Sequence, residues 1–137
     1  MKRVLCIILL VCILITACKN NGGAGKPGVT GEGEKAMYTQ ITQEEAKNIM
    51  DSGEEHIILD VREQDEFDEG HIPGAILIPY TEIDAKAEEM LPDKDALILV
   101  YCRSGRRSKI ASESLANLGY TNVKEFGGII DWEYEVE

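Results

Sequence analysis

Apolar positions recur with two rhythms between Met37 and Glu137. Short runs rich in β-branched residues suit strands, and segments with apolar residues three or four apart suit helices. "YTQI" (Tyr38–Ile41) is a short strand candidate. "TQEEAKNIMDSG" follows, with Thr42 as N-cap, Glu45 three residues on as its capping-box partner, and Gly53 as the stop. "HIILDV" (His56–Val61) predicts a buried strand, and "GAILIP" (Gly74–Pro79) a further short one. "YTEIDAKAEEML" predicts an amphipathic helix with Ile83, Ala87 and Met90 or Leu91 on one side. "DALILVY" (Asp95–Tyr101) is wholly apolar between charged residues, as a central parallel strand covered on both faces should be. "RRSKIASESLANLGY" predicts a helix with Ile110, Leu115 and Leu118 inward, closed by Gly119. "TNVKEF" is a last strand, and "GGIIDWEYE" a turn with a final short helix; Phe126 and Trp132 are assigned to the core. Alternating strands and helices imply an α/β domain with a mainly parallel sheet and helices on both faces.

The first 36 residues follow neither rhythm. Lys2 and Arg3 precede an apolar run from Val4 to Ile15, too short for the roughly 20 residues of a spanning helix. A basic start, a short apolar run and small residues at its end fit a secretory signal. "ITAC" (Ile15–Cys18) resembles the bacterial lipoprotein box, in which the cysteine is lipidated and becomes the first mature residue. Residues 1–17 are therefore expected to be a signal peptide, with Cys18 the lipidation site. Residues 18–36 are then the lipidated cysteine and a Gly-rich tether, whose 18 residues after Cys18 reach about 23 Å. Residues 37–137 form one domain. The expected location is extracytoplasmic, on a bacterial membrane through the lipid anchor.

Removing the signal sharpens two features. Of the 14 basic residues, Lys2 and Arg3 leave, so 12 face 25 acidic ones for a net charge of −13. A surface of that sign repels nucleic acid, which is excluded as a partner. Of the four cysteines, Cys6 and Cys12 leave and Cys18 carries lipid. Cys102 is then the lone thiol, with no disulfide or C-x-x-C partner. His56 and His71 lie far apart without a cysteine cluster, so no metal site is indicated.

Positive charge nonetheless gathers behind that thiol. In "YCRSGRRS" (Tyr101–Ser108), Arg103, Arg106 and Arg107 are three of the four arginines that remain. Cys102 ends the most apolar strand, and a helix begins a few residues later. Ligands bind beyond the carboxyl ends of such strands, and N–H groups at a helix start attract anions. Arginines and a helix start both favour thiolate. Gly105 gives the loop freedom to turn its amides inward. The segment from Cys102 to Arg107 thus fits an anion cradle around a nucleophilic sulfur.

Three motifs in order, "LDVREQDEFDEGHIPGAILIP" (Leu59–Pro79), "YCRSGRRS" and "LGYTNVKEFGGIIDW" (Leu118–Trp132), resemble those of single-domain rhodaneses, the sulfurtransferase family. The resemblance spans about Tyr38 to Trp132. It implies a rhodanese-like fold, no cofactor, and a persulfide mechanism. Cys102 would take a sulfane sulfur from a donor such as thiosulfate and pass it to a thiophilic acceptor such as cyanide or a thiol. In that setting Arg103, Arg106 and Arg107 are candidates to hold the anionic donor, and spacing leaves open which points inward. Ser104 and Ser108 are candidate hydrogen-bond donors, and Ser108 equally fits the first turn of the helix. Asp60 and Arg62 are expected to form a supporting ion-pair network beside the site. His71, in "GHIPG", is expected to order a turn.

Two other readings compete. Cysteine phosphatases and arsenate reductases of related architecture place arginine six positions after the cysteine. Here Ser108 occupies that position and Arg107 falls one earlier, giving a smaller cradle that crowds a tetrahedral phosphate. A non-catalytic rhodanese-like binding module is the other, and a retained Cys102 with a full arginine loop speaks against it.

Overall fold

The computed structural model describes residues 37–137. The expected signal peptide, Cys18 and tether lie outside them. The strands are β1 (Thr39–Gln40), β2 (Ile57–Asp60), β3 (Ile76–Leu77), β4 (Ile98–Cys102) and β5 (Val123–Gly128). The helices are α1 (Gln43–Asp51), α2 (Gln64–Glu69), α3 (Ile83–Met90) and α4 (Arg106–Asn117), with single 3-10 turns at Tyr80–Glu82 and Ile129–Asp131. All strand pairs are parallel, in the order β1-β5-β4-β2-β3. The α/β reading with a parallel sheet holds.

β4 lies between β2 and β5 and every residue in it is buried. Its side chains alternate between two cores. Ile98, Val100 and Cys102 join Leu59, Val61, Ile83, Ala87, Leu91, Ala111 and Leu115 on the α3 and α4 side. Leu99 and Tyr101 join Ala46, Ile58, Ile72 and Phe126 on the α1 side. A strand covered on both faces needs no polar positions, hence the uninterrupted apolar run.

Local signals set most boundaries. Thr42 Oγ1 accepts the Glu45 N–H at 3.1 Å, and Glu45 Oε2 accepts the Thr42 N–H at 2.7 Å, completing the capping box of α1. Ser52 caps its end, with Gly53 beyond it at φ +79°. In α3 the inward position falls to Leu91, 1% exposed, and not to Met90, which is 44% exposed. Trp132 is partly buried, its ring 5.6 Å from that of Phe126.

Three expectations need correction. Ile110 is 41% exposed rather than inward. The inner stripe of α4 is Ser108, Ala111, Ser112 and Leu115. Helical phase is set by Ser108, which must meet the residues beneath the loop, and its small neighbours let the helix sit close on the sheet. The hydrophobic pattern predicts no element in the acidic stretch after Arg62, yet α2 forms there. Its N-terminus is closed by the Glu63 N–H donating to Glu66 Oε2 at 3.1 Å. The expected last helix is a single 3-10 turn.

Candidate active site

Cys102 ends β4, and after three intervening residues α4 begins at Arg106. The chain reverses between them at Gly105, whose φ of +101° is the left-handed region that glycine enters without a Cβ clash. That turn aims the Gly105 N–H at the thiol, with N to Cys102 Sγ at 3.0 Å. Ser108 Oγ, in the first turn of α4, lies 3.4 Å from the same sulfur. Cys102 itself is 1% exposed. Burial pushes its thiol up, but hydrogen bonds from the Ser108 side chain and backbone and from the Gly105 and Ser104 amides outweigh it. The thiol ends below its ordinary value. Backbone and hydroxyl donors therefore favour the anion here, where the sequence credits the helix start and the arginines together.

The second wall of the cradle comes from the turn after β5. Gly128 packs so tightly on the loop that a Cβ there would lie 2.1 Å from Arg103 O and 2.5 Å from Ser104 Cα. Ile130 N–H donates to Arg103 O at 3.1 Å, and Gln43 Nε2 donates to Gly128 O at 2.8 Å. Loop and turn are thus tied together through backbone, and the Gln43 side chain ties α1 to the turn.

The three arginines divide. Arg103 and Arg106 are exposed, and among the described residues neither guanidinium has a hydrogen bond or ion pair. Arg107 is half-buried, and its fork grips Glu66 of α2, with Nη1 to Oε2 at 2.6 Å and Nη2 to Oε1 at 2.7 Å. That bidentate bond holds the Glu66 carboxyl down at about 2. Ser104 is exposed. Ser108 is buried and packs under the loop, so it is a first-turn residue and a hydrogen-bonding group at once.

Asp60 and Arg62 are not brought into the cradle. Arg62 Nη2 lies 2.6 Å from Asp60 Oδ2 and 2.7 Å from Gly70 O, and its guanidinium sits 5.8 Å from the Tyr101 ring. Both are buried, so the pair ties the end of β2 to the turn at Gly70, one strand away from the sulfur. His71 Nδ1 lies 3.0 Å from Phe67 O and its ring stacks on Phe67, ordering the turn as expected. No group of acidic, histidine or cysteine residues suited to a metal occurs among the described residues. A cavity of about 440 Å³ lies among His56, Pro73, Ile76 and Met90, and none of its lining belongs to the loop.

Sequence reasoning missed two carboxylates. Glu66 stands in an acidic run with one aromatic residue and gives no periodic signal. Glu125, 2% exposed on β5, accepts hydrogen bonds from Ser108 Oγ at 2.6 Å, Gly127 N–H at 2.9 Å and Gln40 Nε2 at 3.2 Å. A charged residue two positions after inward Val123 in a short strand was the available signal.

Known proteins resemble this chain in sequence and in fold. The rhodanese-like domain family matches residues 42–135. The thiosulfate sulfurtransferase PspE of Escherichia coli is 42% identical over 73 residues, covering 53% of this chain and 70% of its own length. A solved structure described as rhodanese with anions from E. coli superposes with a TM-score of 0.57 at 35% identity, over 60% of this chain and 96% of that one. A thiosulfate sulfurtransferase from Pseudomonas aeruginosa gives a TM-score of 0.65 at 33% identity, over 72% of this chain but 20% of that much longer one. A family match over more than half the chain leads to one conclusion: this chain belongs to the rhodanese-like domain family.

Proposed function

We propose that the protein is a sulfurtransferase that moves a sulfane sulfur from thiosulfate or a similar anionic donor to a thiophilic acceptor through a persulfide on Cys102. The observation that carries this reading is the Gly105 N–H, 3.0 Å from a buried sulfur at a helix start. A donor placed there is ready for an anion, both before and after sulfur is added. The sulfurtransferase relatives support the same reaction class.

The Cys102 thiolate attacks the outer sulfur of thiosulfate. A new S–S bond forms, the S–S bond of the donor breaks, and sulfite leaves with the electron pair. The outer persulfide sulfur then carries the negative charge over the loop amides. An acceptor such as cyanide attacks that sulfur, the Cys102 S–S bond breaks, thiocyanate leaves, and the thiolate is restored. Arg103 and Arg106, unpaired at the rim, attract the donor, while Arg107 is fixed by Glu66 beside the cradle. No step needs a metal or a cofactor.

The test is to incubate the full chain with thiosulfate and measure the mass of the peptide containing Cys102. One added sulfur is expected, and cyanide should remove it as thiocyanate. Cys102→Ser should gain none and make no thiocyanate, because a hydroxyl is not ionised at neutral pH. Thiocyanate formation by Cys102→Ser at the rate of the unaltered chain defeats the mechanism. We further propose that Cys18 is lipidated and holds the domain outside the cytoplasm on a bacterial membrane, a reading supported by "ITAC" and the Gly-rich segment after it. Labelled fatty acid should enter the chain and should fail to enter Cys18→Ser; absence of label from the unaltered chain overturns it.

A further inference from the structure

Beneath the cradle lies a carboxylate that the sulfur-transfer steps above leave unused. Glu125 is 2% exposed, and its three hydrogen-bond partners are Ser108 Oγ, Gly127 N–H and Gln40 Nε2. No cation among the described residues pairs with it. Lys124, its neighbour in the strand, attracts Glu45 of α1 instead. A buried carboxylate without a counter-charge is costly, and proteins usually relieve that cost by a counter-ion or a proton.

One oxygen separates it from the nucleophile. Ser108 Oγ lies 2.6 Å from Glu125 Oε1 and 3.4 Å from Cys102 Sγ. The hydroxyl has one proton, and also faces Gly105 O at 3.0 Å and Gly127 O at 3.4 Å. If Cys102 and Glu125 were both negative, Ser108 would satisfy only one of them. Two negative groups this close in a buried space disfavour each other. The other elements packed here bring little relief. β1 offers Gln40 and α1 offers Gln43, both neutral. Arg107 of α4 feels the Cys102 charge, but its fork is taken by Glu66 of α2, and Glu63 lies near it as well.

We propose that Cys102, Ser108 and Glu125 form a proton relay in which Glu125 takes the thiol proton and the pair shares a single negative charge. As the Sγ–H bond breaks, that proton passes to Ser108 Oγ, and the hydroxyl's own proton passes to Glu125 Oε1. Thiolate and neutral carboxyl result, with Ser108 donating to sulfur and Glu125 donating to Ser108. Charge and proton count in the interior are unchanged, so the step needs no base from solvent. While the sulfur stays negative, as thiolate or persulfide, the carboxyl keeps the proton. The inference rests on Cys102 being the nucleophile, but its test needs no sulfur transfer.

Two groups that share one proton lose their protons as a pair, in two steps. Internal transfer between those steps is independent of pH, so the alkylation rate of Cys102 should show a flat plateau. It is read from the Cys102 peptide of the full chain with iodoacetamide. In Glu125→Gln the amide still accepts from Ser108 but holds no acidic proton. Its rate should follow a single thiol curve, falling about tenfold per pH unit below the midpoint. Ser108→Ala, which keeps Glu125 but cuts the bridge, should lose the plateau in the same way. Difference infrared spectra should show a protonated-carboxyl band on adding thiosulfate to the unaltered chain, and no such band in Glu125→Gln. The proposal is overturned if both variants keep the pH profile of the unaltered chain, or if that chain follows a single-thiol curve throughout. Should Glu125→Gln fail to fold, Ser108→Ala decides by the same profile. Loss of thiocyanate formation with the plateau intact counts against the sulfurtransferase reading and not against the relay.

Discussion

Replacing Gly128 with alanine tests whether the cradle is held in place by backbone packing. The residue has φ −131°, which any amino acid adopts, so only space forbids a side chain. The new Cβ would lie 2.1 Å from Arg103 O, 2.4 Å from its carbonyl carbon and 2.5 Å from Ser104 Cα. Ordinary contact begins near 3.4 Å, so loop and turn must separate by about 1.3 Å, the difference from 2.1 Å. Backbone cannot yield as a flexible side-chain tip does. Overpacking of this kind costs about 1–3 kcal/mol, and each kcal/mol lowers Tm by about 4–8 °C in a domain of this size. The same shift carries the Gly105 N–H away from Sγ, and a misplacement near 1 Å can cost roughly 100-fold in rate. Thiocyanate formation per folded molecule and alkylation of Cys102 at neutral pH should therefore both fall. Gly53→Ala is the control. Its φ of +79° strains an alanine there, but nothing lies within 4 Å of the new Cβ, and the residue follows the end of α1 opposite Gln43. It should lower Tm and leave the rate per folded molecule unchanged. A Gly128→Ala chain with unaltered turnover and unaltered thiol reactivity refutes the claim that this contact sets the cradle.

Arg103→Ala and Arg106→Ala, alone and together, should raise KM for thiosulfate more than they lower kcat, each losing about 1.5–3 kcal/mol of charge-assisted bonding at most; steady-state kinetics with unchanged KM in the double variant removes them from donor binding. Glu66→Gln should reduce stability near neutral pH by releasing Arg107. Because the Glu66 carboxyl is depressed from 4.5 to about 2, its contribution is present above 4.5 and lost as pH falls through about 2. The Tm gap between Glu66→Gln and the unaltered chain should thus close on acidification through that window, and a gap independent of pH contradicts the pairing. Asp60→Asn leaves Arg62 buried without its partner and should cost about 3–5 kcal/mol by chemical denaturation, with the cradle chemistry intact in the folded fraction.

The sequence alone determined the fold class and singled out Cys102 as the candidate nucleophile. Strand runs such as "DALILVY", the Thr42 capping box and glycine stops are local, and local physics reads them without neighbours. Cys102 was legible because charge gathered behind it in an otherwise acidic chain. What only the tertiary structure decided were pairings between residues remote in the chain. Arg107 looked like a donor-binding group equal to Arg103 and Arg106 until α2 brought Glu66 to its fork. Glu125 looked like one more acidic residue until the order β1-β5-β4 set it beneath Ser108. Ile110 turned outward because Ser108, not the apolar residue, fixed the phase of α4. Gly128 has no unusual backbone angle, and its need for glycine arises from Arg103 and Ser104, 25 and 24 residues earlier in the chain. Periodicity records which face of an element is buried. It does not record which polar group that face meets, because the partner is chosen by how separate elements are laid side by side.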